Sequence, residues 1–307
     1  MGMKLVSLFA AGTMAAFSVD PSALMVDRGL PQANWNNAAG VTERSNVRWT
    51  LYEQGFVADE FRLGEPGEKW VVDKVRVWAV PGARGVDPAA LGDFYSKVQL
   101  FVGPAEGDLK AIASADLAPG SNEGSGNVRI LDGVMEGAPL YDDFGAHYRI
   151  WQLDFENLKL AVEGGQTYRF GSFGTGRDGQ AWFTHGANAA KSSSRQDGAD
   201  GKLFLYDTTG KFASEYVAGG KAWNKTADLN VQVFAHLEAD VTAVDGQLAI
   251  RGSLASQIDP ATVRINGLAP RGFALRDGNH EIAFAGANDG CLTAQRFDGT
   301  PIQGCLR

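Results

Sequence analysis

The stretch WVVDKVRVWAV, residues 70–80, decides the fold class of this chain. Its side chains alternate with the two-residue period of a β-strand. One phase is apolar and comprises Val75, Val77 and Ala79. The other phase mixes aromatic rings and cations, and comprises Trp70, Val72, Lys74, Arg76, Trp78 and Val80. Because the two cations have to reach water, we predict that Trp78 lies on a partly solvated face of a sheet.

The same two-residue period recurs along most of the chain. It is clear in SKVQLFV (96–102), WQLDF (151–155) and DLNVQVFAHLE (228–238). Stretches rich in turn-forming residues, such as APGSNEGSGN (118–127), separate these segments. The helix candidate DPAALGDFYS (87–96) is short. The sequence therefore predicts an all-β protein.

A domain boundary is predicted near residue 238. All seven tryptophans precede it, and the later segment has its own rhythm of strands and turns. We divide the chain into a signal peptide (1–18), an N-terminal arm (19–34), a large jelly-roll-like β-sandwich (35–237) and a small Ig-like β-sandwich (238–307).

The N-terminus has the features of an export signal. Lys4 precedes a 13-residue, mostly apolar run (5–17), which is too short to span a bilayer. Ala16 and Ser18 are small residues at the spacing that precedes a cleavage site. We therefore expect a secreted protein, extracellular or periplasmic, without a membrane span. The alternative of a buried N-terminal helix stays open.

The two cysteines, Cys291 and Cys305, lie close together near the C-terminus. In an exported chain such a pair is usually a disulfide. A zinc site is the rival interpretation, but two cysteines without neighbouring histidines make a poor set of zinc ligands. We predict a Cys291–Cys305 disulfide.

Composition and missing motifs exclude several function classes. The formal net charge of −8 and the isoelectric point near 5.1 argue against a nucleic-acid partner, which requires a basic surface. The sequence contains no serine-hydrolase elbow, phosphate-binding loop, dinucleotide fingerprint or His-Glu-x-x-His motif.

Three segments resemble exported bacterial jelly-roll proteins of the lectin or carbohydrate-binding-module type. They are DEFRLG (59–64), the strand at 70–80 and LKLAVEGGQTYRFG (158–171). Those proteins often carry Asp-Asp-Phe-x-Leu at the first position, where this chain has Glu60 for the second aspartate. The resemblance implies a glycan-binding sandwich.

The C-terminal segment resembles a small β-domain found in secreted bacterial proteins. The similarity lies in QIDPATVRING (257–267), DGNHEIAF (277–284) and CLTAQRFDGTPIQGCLR (291–307). Of that domain's acidic loop only Asp277 and Gly278 remain, so the resemblance does not imply calcium here. It implies an accessory module rather than a particular reaction.

The mixed phase of the opening strand is the candidate ligand platform. Aromatic rings stack on sugar rings, and flanking cations bond hydroxyl or uronate groups, which selects Trp78, Arg76 and Lys74. His185 and Trp182 are further ligand-binding candidates, because their strand QAWFTH ends beside a loop. Two alternatives stay open: Trp78 covered by loops or by the small domain, and His185 in a structural role.

Acidic residues suggest two further kinds of site. Asp197 and Asp200 in a turn-rich segment could ligate Ca²⁺, although a plain hairpin explains them equally well, and no other cofactor is expected. Asp154 and Asp143 are candidates for the paired carboxylates of a glycosidase. His236 falls on the polar phase of its strand and is expected to be exposed.

These observations favour a secreted, non-catalytic binding or adhesion protein for a polysaccharide or cell-envelope glycan. A carbohydrate-active enzyme using carboxylates is the first alternative. The second is a structural subunit of an extracellular fibre or surface layer, self-associating when its N-terminal arm adds to the open sheet edge of a neighbour.

Overall fold

A computed structural model describes residues 22–28, 47–48, 55–81, 90–132, 140–143, 146–188, 202–216, 227–245, 247–285 and 290–306. Within these ranges the fold is all-β, as predicted, with several sheets packed as sandwiches. Helical structure there is limited to short 3₁₀ turns at Leu91–Asp93, Ser253–Gln257 and Asp277–Asn279. In this part of the chain no helix has the length and apolarity to cross a membrane. The predicted signal peptide lies outside the described residues.

The strands, in chain order, are β1 (Ala23–Asp27), β2 (Val47–Arg48), β3 (Gly55–Arg62), β4 (Lys69–Pro81), β5 (Tyr95–Pro104), β6 (Lys110–Asp116), β7 (Val128–Asp132), β8 (Leu140–Asp143), β9 (Ala146–Arg149), β10 (Trp151–Phe155), β11 (Leu160–Glu163), β12 (Thr167–Gly176), β13 (Trp182–Asn188), β14 (Leu203–Asp207), β15 (Phe212–Tyr216), β16 (Ala227–Leu229), β17 (Val231–Glu238), β18 (Val241–Val244), β19 (Gln247–Arg251), β20 (Ile258–Ile265), β21 (Gly272–Arg276), β22 (Glu281–Ala285), β23 (Cys291–Arg296) and β24 (Pro301–Cys305).

The long strand β4 is the centre of the largest sheet. Strands β10 and β11 follow each other along one of its edges, and β17 and β13 follow each other along the opposite edge. A six-stranded sheet in the order β15-β14-β3-β12-β5-β6 supplies the second layer. The core between the layers contains side chains from both, among them Val75, Leu153, Val98 and Phe170.

A β-bulge at Asp73 changes the predicted phase of β4. Opposite β17, Phe234 pairs with Lys74 but the next residue, Ala235, pairs with Val72, so Asp73 is the extra residue. A bulge shifts the alternation of side chains by one position. Trp70 and Val72 consequently join the core cluster, whereas the simple alternation had placed them beside Lys74.

The largest sheet continues past the predicted boundary near residue 238. The last residues of β17 pair in parallel with β24, and β24, β23 and β20 extend the sheet. A four-stranded sheet in the order β18-β19-β22-β21 contributes Leu248, Ile250, Ile282 and Phe284 to the same apolar cluster. The jelly-roll and Ig-like topologies of the two regions stay predictions.

The two regions are also joined by polar contacts. The Glu68 carboxylate forms an ion pair with Arg296 of β23, and it accepts a hydrogen bond from the Trp70 indole at 3.0 Å. Burial raises the pKa of Glu68, but hydrogen bonds from Arg296, the Glu65 amide and Trp70 outweigh it and bring the pKa below its ordinary value of 4.5.

The predicted disulfide is confirmed. Cys291 and Cys305 lie opposite each other on β23 and β24, with 4.0 Å between their Cα atoms. The bond closes the C-terminal hairpin, whose strand β24 pairs with β17.

The described part of the N-terminal arm, residues 22–28, pairs with a strand of its own chain. Strand β1 pairs with β17, and Met25 and Val26 are buried in the core. At the end of the strand Arg28 forms a fully buried ion pair with Asp59. Residues 22–28 are thus committed to an internal sheet edge, so the expectation that this part of the arm adds to a neighbouring molecule is wrong.

Candidate functional site

The polar side of β4, β10 and β17 carries a hydrogen-bonded network. Arg76 donates two hydrogen bonds to the Asp154 carboxylate, both at 2.7 Å, and a third to Gln232 at 3.1 Å. Gln152 donates to the same carboxylate at 2.9 Å. The Asp154 side chain is only 2% exposed. This carboxylate therefore links β4 and β10 through charge-assisted hydrogen bonds.

The expectation that the Trp78 ring is accessible on its face of the sheet is wrong. Its side chain is 0% exposed, so its ring presents no face to a ligand in this structure. The neighbouring cations have partners within the sheet: Arg76 forms a salt bridge with Asp154, and the Lys74 ammonium lies 3.8 Å from the centre of the Phe234 ring. The Arg76 side chain stays 22% exposed, so this face is partly solvated around a buried Trp78.

The other platform candidates do not join Trp78. Trp182 is buried on the opposite face of the sheet, in the core; it lies edge-on to Tyr95 and donates to the Thr184 hydroxyl at 3.1 Å. His185 lies in β13 opposite Arg48 of β2. Its side chain is outside what the structure describes, so its ligand role stays a prediction.

The remaining acidic candidates stay predictions. Asp197 and Asp200 lie outside the described residues, as does the side chain of Asp143. Within the part of the chain that is described, no group of three or more metal-ligating side chains occurs. The adjacent carboxylates Asp59 and Glu60 point to different partners, namely Arg28 and Arg169.

The structure instead brings titratable groups together where the bulge of β4 meets β17. The extra residue Asp73 places its carboxylate 2.7 Å from Nδ1 of His236. The loop between β10 and β11 crosses beside the bulge, where the Leu158 amide donates to the Asp73 carbonyl at 2.9 Å. Because the Asp73 contact uses Nδ1, Nε2 is the ring nitrogen left to a ligand.

Around this pair lies a cleft of about 390 Å³, which we name the junction cleft. It spans β11, β4, β17 and β24, on the same sheet face as Lys74 and Arg76 but beyond the bulge. Its polar lining comprises Asp73, Lys159, His236, Glu238 and Gln303, and its apolar lining includes Val71 and Ala161.

The cationic side of the junction cleft carries two unusual backbone conformations. Lys159 has φ of 50° and Asn157 has φ of 53°, conformations that side-chain-bearing residues seldom adopt. Such strain persists where the surrounding structure imposes it, and it is concentrated at functional sites. The Lys159 residue is exposed, so its ammonium is accessible to a ligand.

Sequence reasoning missed this site for an identifiable reason. His236 was expected to be exposed on the polar phase of its strand, but it is 6% exposed and bonded to Asp73. Its phase was assigned correctly, since it shares a face with Phe234 and Gln232. The bulge and the parallel pairing with β24, which together build the cleft, have no local signal in the sequence.

A second cleft, of about 410 Å³, lies along β20, β23 and β24 beside the start of β1. Its polar lining includes Thr262, Arg264, Thr293 and Gln295. It contains no acid–histidine pair, so the junction cleft is the stronger candidate among the described residues.

Comparisons with known proteins give this site no precedent. No family model matches the chain, and no curated protein matches it. The interpretation of the junction cleft therefore rests on its geometry.

Proposed function

We propose that this protein is a secreted, non-catalytic binding protein that holds a polysaccharide or cell-envelope glycan in the junction cleft. The observation that carries the proposal is the His236–Asp73 pair at 2.7 Å in a cleft whose other polar groups include Lys159, Glu238 and Gln303. A fixed imidazole, a carboxylate, an ammonium and an amide offer the mixture of donors and acceptors that a ligand rich in hydroxyl groups requires.

The dimensions and rigidity of the cleft support a small ligand or one unit of a polymer. Its volume of about 390 Å³ lies within the range of roughly 300–1,000 Å³ that is usual for small-ligand sites. Three of its walls are paired strands, and Asp73 holds the His236 ring in place. A preorganised site loses less entropy when the ligand binds.

Lys159 offers a cationic contact for an acidic group of the ligand, although the Asp73 and Glu238 carboxylates leave the cleft without a net positive charge. Asp73 is already engaged with His236, whereas Lys159 is exposed at the rim. A uronate or other acidic sugar can place its carboxylate on this ammonium while its hydroxyls bond to Glu238 and Gln303.

The compartment is proposed on separate grounds. The Cys291–Cys305 disulfide is of the kind that forms and persists in oxidising environments, namely outside the cell or in the periplasm. It supports export of the chain.

The test is a glycan array followed by titration calorimetry on the retained glycan. We expect Lys159→Ala to weaken binding about tenfold, since a hydrogen bond to a charged group is lost. The matched control is Lys110→Ala, another exposed lysine, on β6 and far from the cleft. Equal affinities for the two variants, or no retention of any acidic glycan, would contradict the proposal.

The same samples distinguish the enzymatic alternative. New reducing ends or unsaturated sugars in the flow-through would identify a carbohydrate-active enzyme, with Glu238 as the first carboxylate to substitute. Retention without product supports the binding function.

A further inference from the structure

The second cleft, beside the start of β1, has a cationic lining. We name it the arginine cleft, because Arg264 of β20 is the charged residue among the described residues that line it. Its other polar side chains include Thr262, Thr293 and Gln295, and none of its described lining residues carries a carboxylate. In a chain with a formal net charge of −8, a cleft with an arginine and no acid favours an anionic ligand.

Backbone contacts hold the Arg264 guanidinium in place. Its Nη1 donates to the Ala261 carbonyl at 3.1 Å and to the Val263 carbonyl at 2.7 Å. Arg264 forms no ion pair and no further side-chain hydrogen bond with a described residue, so Nε and Nη2 are left to a ligand. In the same protein, Nε and Nη2 of Arg76 each donate to the Asp154 carboxylate at 2.7 Å. Arg264 therefore presents the pair of donors that binds a carboxylate in a bidentate manner.

An irregular bulge in β20 sets the position of Arg264. Residues 260–263 occupy the span that Ala294 alone occupies on β23, and Arg264 follows them. The bulge is tied to the neighbouring strand, because the Thr262 hydroxyl accepts a hydrogen bond from the Gln295 amide at 2.9 Å. Bulges redirect side chains and are frequent beside functional sites.

A row of polar residues, which we name the polar row, links the two clefts. Glu238, Gln303, Thr293 and Arg264 lie directly opposite one another on the neighbouring strands β17, β24, β23 and β20. Directly opposite residues share one face of a sheet, and each of these residues is at least partly exposed. Glu238 and Gln303 line the junction cleft, whereas Thr293 and Arg264 line the arginine cleft. Because neighbouring strands are about 4.8 Å apart, the polar row is about 14 Å long, which exceeds a single sugar ring.

We infer that the arginine cleft is a second binding site, which takes the carboxylate of an acidic sugar on Nε and Nη2 of Arg264. A polymer with repeated uronate units matches Lys159 at one end of its path and Arg264 at the other, with intervening units along the polar row. The occupation of both clefts by one polymer rests on the proposed function, whereas the carboxylate site at Arg264 does not.

Nuclear magnetic resonance of the arginine side chains tests the carboxylate site directly. Galacturonate should shift the Nε–H signal of Arg264, whereas galactose, which lacks the carboxylate, should not. Followed at the Thr293 backbone amide, Arg264→Gln should weaken galacturonate binding about tenfold, since charge-assisted hydrogen bonds are lost. The matched control is Arg62→Gln, which removes another exposed arginine, on β3, and should leave this affinity unchanged. No shift with either galacturonate or glucuronate, or an equal shift and affinity with acetate, overturns the inference.

Oligogalacturonides of increasing length test the path between the clefts and separate it from the proposed function. Affinity should rise about tenfold or more once the oligomer spans the polar row, because its second contact is then intramolecular, and Arg264→Gln should remove this gain. An affinity that does not depend on length overturns the shared path. If Lys159→Ala has no effect on any oligomer while galacturonate still shifts the Arg264 signal, the proposed function fails and the carboxylate site is supported.

Discussion

Replacement of Trp78 by alanine distinguishes a structural tryptophan from a ligand platform. The indole is completely buried beside the Arg76 network, and its Nε1 has no hydrogen-bond partner among the described residues. Truncation of a buried tryptophan costs about 3–5 kcal/mol through lost burial and the cavity left behind. Removal of an unsatisfied buried donor returns part of that, since such a group costs about 1–3 kcal/mol. We therefore expect Trp78→Ala to lower the free energy of unfolding by about 3 kcal/mol.

A second substitution separates the two contributions. Trp78→Phe keeps most of the apolar ring and removes the unpaired N–H, so it should cost less than about 1.5 kcal/mol. The control is Phe297→Ala, because that side chain is 70% exposed and its loss should change stability by no more than about 0.5 kcal/mol.

Urea unfolding followed by far-UV circular dichroism measures the stability of all three variants, and glycan titration is run on the same samples. The structural interpretation requires a large loss of stability for Trp78→Ala with unchanged affinity at temperatures where the protein is folded. The opposite result, unchanged stability together with lost binding, would refute it and restore the platform on β4.

Two further predictions concern the C-terminal region. The pKa of Glu68 is lowered in the folded protein, so the stability that this group contributes is present above about pH 4.5 and is lost as the pH falls below it. Glu68→Gln should therefore be less stable than the unmodified chain near neutral pH, and urea titrations should show this difference in stability narrowing on acidification. A difference that does not depend on pH would contradict the prediction. Reduction of the disulfide should lower the free energy of unfolding by about 3 kcal/mol, as the loop-entropy model gives for a closed loop of this length. The control is a Cys291→Ala/Cys305→Ala variant, whose stability should not respond to reductant. Equal stability of the reduced and oxidised chains would show that the bond does not constrain the unfolded chain.

Alternation of side chains was sufficient to predict the fold class and many of the strands. The segment 151–155 forms β10, and 231–238 forms β17, with the predicted inward residues in the core. Period two identifies a strand because successive side chains point to opposite faces. It does not tell whether the polar face meets water, and in β10 both Gln152 and Asp154 are buried.

The helix predicted over residues 87–96 illustrates the limit of local signals. Proline near a capping aspartate favours a helix start, but the described part contains only a 3₁₀ turn at Leu91–Asp93, and β5 begins at Tyr95. The ten-residue β5 pairs along its length with β12, and this pairing outweighs the weak local preference for a helix.

The junction cleft could not be predicted because its parts are distant in sequence. Lys159, His236 and Gln303 come from three separate regions of the chain, and they meet only because β4 pairs with β11 and β17, and β17 pairs with β24. A short sequence motif cannot encode such a constellation, so no local motif marks the cleft.

One polar face of the large sheet therefore carries two groups of polar side chains, and the bulge at Asp73 separates them. On one side of the bulge Arg76 and Asp154 form a salt bridge, and Trp78 is buried. On the other side, the extra residue turns a carboxylate toward His236 at the place where β24 joins the sheet. Because bulges redirect side chains and are frequent beside active sites, we propose the interruption in β4, rather than its tryptophan, as the feature that builds a binding site.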